Sequence, residues 1–143
     1  MEFKIEPLVG CNFLLFEEKR ENLRNMLDNK YDKTFKREDK DLYNFFSLVF
    51  EDDKLACIEF FPNEKVKVFF ENVDINNITF KEAYNHIKKY DENIKLIKSW
   101  KLAISEKLGI IITGIDDEEF EDENIDCLSV MKKGYITKEA FKE

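Results

Sequence analysis

The chain is poor in the residues that usually carry chemistry: one histidine, three cysteines, two prolines and four glycines in 143 residues, with only three arginines among its bases. With His86 alone and the cysteines at Cys11, Cys57 and Cys127, the short-spaced ligand pair of a structural zinc site is missing. A nucleophile pair between His86 and a cysteine would also need a positioned orienting group, and no spacing supplies one. Glycine-rich phosphate loops are absent, the only glycines being Gly10, Gly109, Gly114 and Gly134. No metal, cofactor or catalytic residue is therefore predicted.

Other absences bear on surroundings and partners. The odd, widely spaced cysteines beside apolar neighbours read as reduced core thiols, not a disulfide framework. No apolar run approaches the roughly 18 residues that span a bilayer, and the start, Met1 to Glu6, has neither a basic leader nor an apolar core. A soluble, cytoplasmic protein without a membrane partner is expected. The formal net charge is −8 and no compensating basic stripe exists, which disfavours nucleic acid as a ligand.

What the chain does have is apolar content, 43% hydrophobic and 14% aromatic, enough to offset the entropy of folding one domain over residues 1–143. After an extended start ending at Gly10, Phe16, Leu23, Met26 and Leu27 fall at helical spacing, and a first helix from about 17 to 28 is expected, stopped at Asn29. Tyr43 to Phe50, Leu55 to Phe61 and Val66 to Phe70 read as three strands of an antiparallel meander, joined by a polar turn at 51–54 and by Pro62-Asn63. Thr79 and Glu82 have the capping-box spacing, and Phe80, Ala83, Tyr84, Ile87 and Tyr90 line one face of the helix that follows.

Residues 93 to 104 alternate as a strand would, although Trp100, Ala103 and Ile104 also fit a helix; strand is the expectation. Gly109 to Ile115 is a short apolar run between glycines, suited to a central strand, and Ile125 to Met131 reads as another. Lys132 to Gly134 is a turn, and the tail is an edge strand or a short helix. The predicted class is α+β: a single antiparallel meandering sheet of five to six strands with two amphipathic helices packed on one face.

Charge is concentrated in one place. Asp116, Asp117, Glu118, Glu119, Glu121, Asp122 and Glu123 surround Phe120 with no base among them, which leaves 24 acids against 23 bases elsewhere. The plain reading is a solvated hairpin loop. The functional reading is docking on a basic protein surface, with the carboxylates steering the partner and Phe120 as an apolar anchor. A calcium loop fits poorly, because the acids are contiguous and no glycine supplies the sharp turn. Glu59 would share a face with Leu55, Cys57 and Phe61 under strict alternation. It is then either a buried acid with a partner or the outside of a solvated sheet face.

Several stretches together resemble a group of small stand-alone bacterial proteins, some of them similar to immunity proteins of polymorphic or contact-dependent toxin systems. They are Gly10 with Asn12 to Phe16, Leu55 to Phe61, Val66 to Phe70, Phe80 to Ile87, Leu108 to Ile111 and Lys133 to Tyr135, over roughly residues 3 to 136. At the turn before the first helix and the segment after it, Leu14 to Phe16 and Asn29 to Tyr31 stand in place of the group's Gly-Met-Ser and Gly-x-Pro. The shared motifs are structural, so no site residue is carried over. The resemblance implies a non-catalytic protein that binds and occludes a cognate toxin. The alternatives are a structural or homodimeric domain, associating through a strand edge or Phe45 to Phe50, and a small hydrolase using carboxylates or a cysteine.

Overall fold

The computed structural model describes residues 1–135, and the expected tail element lies outside them. Its strands are β1 (Glu2–Glu6), β2 (Gly10–Cys11) and β3 (Leu14–Leu15), then helix α1 (Arg20–Met26), then β4 (Lys40–Leu42), β5 (Phe46–Glu51), β6 (Lys54–Phe60), β7 (Lys67–Phe70) and β8 (Val73–Asp74). Helix α2 (Phe80–Lys88) is followed by β9 (Lys95–Ile97), β10 (Leu102–Ser105), β11 (Ile110–Thr113) and β12 (Cys127–Met131).

The single meandering sheet is not what forms. The strands make two sheets, one of five in the order β3-β2-β1-β7-β8 and one of seven in the order β4-β5-β6-β12-β11-β10-β9. The expected meander breaks after its first hairpin. Strands β5 and β6 pair antiparallel as expected, but β7 leaves that sheet and pairs in parallel with β1, Phe3 opposite Val68. Pro62, which has no N–H for a ladder, stands two residues past the end of β6, and the tight turn from Asn63 to Val66 redirects the chain. The vacated flank of β6 is taken by β12, with Val130 opposite Ile58. Both faces of β6 are buried, so a central position suits its near-continuous apolar run.

One core fills the space between the sheets and the helices. It joins Phe3 and Ile5 of β1, Val68 and Phe70 of β7, Leu48, Ile58, Phe60, Ile110 and Leu128 of the large sheet, Leu23 of α1 and Phe80, Ala83 and Ile87 of α2. Phe3 meets Phe46 edge-on at 5.7 Å and Phe60 at 5.1 Å, locking the two sheets face to face. The opposite face of the large sheet carries a second apolar cluster, Val49, Cys57, Ile97, Ile104, Ile111 and Met131, against which Leu102 and Tyr135 pack.

Helix α1 starts later than its apolar spacing suggests. Backbone groups of residues 17–20 are engaged with the β5–β6 turn, Glu17 N donating to Leu55 O, Leu55 N to Glu18 O and Arg20 N to Asp53 O. Glu17 is left-handed and Lys19, bridged to Lys54, is extended, so the helix opens only at Arg20. It ends at Met26, two residues short of the expected 28, with Leu27 as its C-cap; Asp28 and Asn29 beyond it both have positive φ, and Asn29 N returns to Arg24 O at 2.8 Å. The capping box of α2 forms in both directions, Glu82 N to Thr79 Oγ1 at 3.1 Å and Thr79 N to Glu82 Oε1 at 3.2 Å.

Residues 93 to 104 are not one strand. They fold back on themselves as β9 and β10, antiparallel with Leu102 opposite Ile97, about a 3-10 turn at Lys98–Trp100 closed by a left-handed Lys101. No helix among the described residues is long and apolar enough to cross a membrane.

Candidate functional site

The acidic segment grows out of the end of β11, where Gly114 is dictated by packing. A Cβ there would lie 2.6 Å from the ring of Phe120, so only glycine lets that ring seat. The Gly114 N–H donates to Lys101 O at 2.7 Å, Asp117 N to Ile115 O at 2.9 Å, and the Asp117 carboxylate accepts from Glu119 N at 2.8 Å. A 3-10 turn at Phe120–Asp122 follows. The far end is fixed to α2: Glu123 O accepts from Phe80 N, the first amide of the helix, and Ile125 N donates to Ile78 O.

Phe120 is not an anchor offered to a partner. Its side chain is buried, only 4% exposed, and meets Phe80 edge to face with ring centroids 4.9 Å apart. The reason is hydrophobic, since burying a phenylalanine stabilises by about 1.5–3 kcal/mol, and a pocket between α2 and Gly114 is available to it. The segment is therefore pinned by its own middle, not a free hairpin loop. Around Phe120 the charges point outward. Asp116, Asp117, Glu118, Glu119, Asp122 and Glu123 are exposed and Glu121 is half-buried. Two ion pairs brace the rim, Lys101 Nζ to Asp116 Oδ1 at 3.2 Å and Lys98 Nζ to Glu121 Oε1 at 3.8 Å. Sequence reading placed the seven acids together; it missed that the two lysines of the β9–β10 turn would reach them.

A second polar cluster lies on the outer face of the large sheet. Glu59 Oε1 accepts from Ser47 Oγ at 2.7 Å and from Lys40 Nζ at 2.8 Å, and Ser129 stands opposite Glu59 in register. Glu59 is half-buried with partners. Strict alternation misplaces its neighbours, because a register shift between Val49 and Phe50 sends Leu55 to the main core and leaves Cys57 on the outer face. A groove of about 360 Å³ crosses this face, with Lys40, Glu59, Thr113, Cys127, Ser129 and Tyr135 among its walls.

The thiols that line the groove, Cys57 and Cys127, are shifted toward their protonated form. Burial, then the nearby Glu59 carboxylate, pushes the Cys127 thiol up to about 11. The same two causes push Cys57 well up, and burial alone raises Cys11. His86 is engaged elsewhere: it is buried, its Nε2–H donates to Phe70 O at 2.7 Å, and its ring meets those of Phe70 and Tyr90 edge-on. Among the described residues no group of three or more His, Cys, Asp or Glu side chains is placed to hold a metal ion.

Phe45 to Phe50 does not offer a surface for self-association either, since Phe46 to Phe50 are buried and Phe45 packs on the core. Exposed apolar residues lie elsewhere, at Met1, Met26 and Tyr90, at Val9, Phe13 and Leu15 around the edge strand β3, and at Trp100 on the β9–β10 turn. No family model, curated protein or solved structure matches the chain.

Proposed function

We propose that this chain is a non-catalytic protein-binding domain of the immunity type, which neutralises a cognate bacterial toxin by docking on a basic surface and occluding it. The observation that carries this reading is the acidic segment seated on its own buried Phe120, which packs against Phe80. A loop already fixed in one conformation loses little entropy on binding, so its carboxylates both steer a cationic partner and meet it in a set geometry. Thiols shifted toward their protonated form and a buried His86 hydrogen-bonded to the Phe70 carbonyl support a binding role over a cysteine- or histidine-based one.

The test is recovery of the tagged protein from its native lysate at low and then high salt. The expected result is a stoichiometric basic protein, released by salt, that is toxic when expressed without this chain and harmless with it. Recovery of the chain alone at both salts would overturn the reading. Replacing the seven acids by Asn and Gln should slow association and flatten its salt dependence with the fold intact.

A second reading is self-association. It rests on Val9, Phe13 and Leu15, each more than two-fifths exposed around the edge strand β3, where a second copy can add. Sedimentation giving a concentration-dependent mass with no heterologous partner favours it.

A further inference from the structure

The buried apolar residues of both helices lie in the main core, Leu23 of α1 and Phe80, Ala83 and Ile87 of α2 alike, so neither helix covers the outer face of the large sheet. Yet that face is not open. Val49, Cys57, Ile97, Ile104, Ile111 and Met131, one from each of β5, β6, β9, β10, β11 and β12, are between 2% and 8% exposed. Side chains standing on a sheet shield one another sideways, but their tips leave water only when another layer lies over them. Of the two partly buried hydrophobic residues packed on this cluster, Leu102 belongs to β10 itself and Tyr135 comes from the chain beyond β12. One tyrosine does not roof six strands.

We propose that this outer face is an intramolecular docking surface and that its occupant is the chain's own C-terminal segment, residues 136–143. Attachment, length and composition select that occupant. The segment follows Tyr135, which is both a wall of the groove and packed on the cluster, so it is tethered at the edge of the surface. A direct covalent tether gives a local concentration on the order of millimolar, which a second copy or a foreign partner in solution does not match. Eight residues reach about 26 Å when extended, and the six strands from β5 to β9 span about 24 Å at roughly 4.8 Å per neighbour. Ile136, Ala140 and Phe141 supply apolar surface, and two lysines offset two glutamates. The groove asks for no net charge, because its charged walls are already paired, Lys40 with Glu59 and Arg37 with Asp39. The outer face, with its thiols, is thereby withdrawn from partners.

NMR of the full-length protein tests this, with NOE spectra recorded on labelled protein and on a mixture of labelled and unlabelled chains. We expect NOEs from Ile136 and Phe141 to the methyl groups of Ile104, Ile111 or Met131 within one chain. Their absence overturns the proposal, and the same NOEs between labelled and unlabelled chains overturn it in favour of a second copy on that face. A chain ending at Tyr135 gives an independent readout through the cysteines, since Cys57 and Cys127 line the groove whereas Cys11 lies in the main core. Deleting residues 136–143 should speed modification of Cys57 and Cys127 by a thiol reagent several-fold and leave Cys11 as slow as in the parent. Unchanged rates at all three overturn the proposal. Acceleration at Cys11 as well means that the shortened chain has lost its fold, and the NOEs of the intact protein then decide.

Discussion

The rings of Phe80 and Phe120 meet edge to face, 4.9 Å apart at an interplanar angle of 79°, and through that contact the first turn of α2 holds the acidic segment in place. Phe80 begins the helix, Phe120 begins the 3-10 turn, and both are nearly fully buried. The charged surface is thereby made from an apolar contact beneath it.

Truncating that contact should separate fold from presentation. Phe120→Ala removes a buried ring and is expected to cost about 3–5 kcal/mol, with amide exchange across residues 116–123 accelerating more than in β6 or β12. Net charge is unchanged, so any loss of association reports the lost geometry. Gly114→Ala tests the same seat from the other side, since its new Cβ would stand 2.6 Å from the Phe120 ring and must displace it. Urea unfolding and hydrogen exchange of both variants check this. Exchange in 116–123 that stays as slow as wild type in Phe120→Ala would show that the ring does not hold the segment.

The capping box gives a second expectation. Thr79→Ala leaves the Glu82 amide without its side-chain acceptor and should cost about 0.5–2 kcal/mol, whereas Thr79→Ser should be close to neutral because the hydroxyl is retained. Denaturation midpoints of the two variants decide it.

That cap was legible in the sequence because its two residues are three apart and need no other part of the chain. The β5–β6 hairpin and the glycine-bounded β11 were legible for the same local reason. The pairing of β1 with β7 was not, since Phe3 and Val68 are distant in sequence and nothing near either names the other. Nor was the placement of β12 beside β6, because an apolar run with both faces buried says that it is central without saying who its neighbours are. At the candidate site the seven acids were visible as composition. The role of Phe120 was not, because a lone aromatic among acids looks alike whether it points in or out, and only the vacancy at Gly114 decides.

The cysteines should be inert in the native protein. With Cys127 pushed up to about 11 and Cys57 and Cys11 also raised, the thiolate is a negligible fraction at pH 7. A colourimetric thiol reagent should titrate all three rapidly only in denaturant, and Cys127, the least buried, should be the first to react as pH rises. One cysteine reacting at the denatured rate in native protein at pH 7 would contradict the burial that raises these values.

Acid sensitivity should concentrate at Asp41. Its side chain is 2% exposed, and its carboxylate is gripped by both arginines of α1: Oδ1 accepts from Arg20 Nη2 and Arg24 Nη2 at 2.7 Å each, and Oδ2 from Arg24 Nε at 2.8 Å. Two of the three arginines, four residues apart on one helix, thus clamp α1 to the edge strand β4. Burial pushes the Asp41 carboxyl up, but the hydrogen bonds from Arg24 and Arg20 and their charges pull further, leaving it below its ordinary value. A carboxylate depressed in the folded state stabilises fully above its unfolded value, about 3.9, and loses that contribution as pH falls through the lower folded value. Asp41→Asn leaves two partly buried guanidinium groups without their counter-charge and should cost about 3–5 kcal/mol at pH 7. The stability gap between wild type and Asp41→Asn should stay level down to about pH 5 and shrink below about pH 4 as wild-type Asp41 itself protonates. Urea unfolding of the pair from pH 7 to pH 3 measures this, and a gap independent of pH would show that the clamp works by shape rather than by charge.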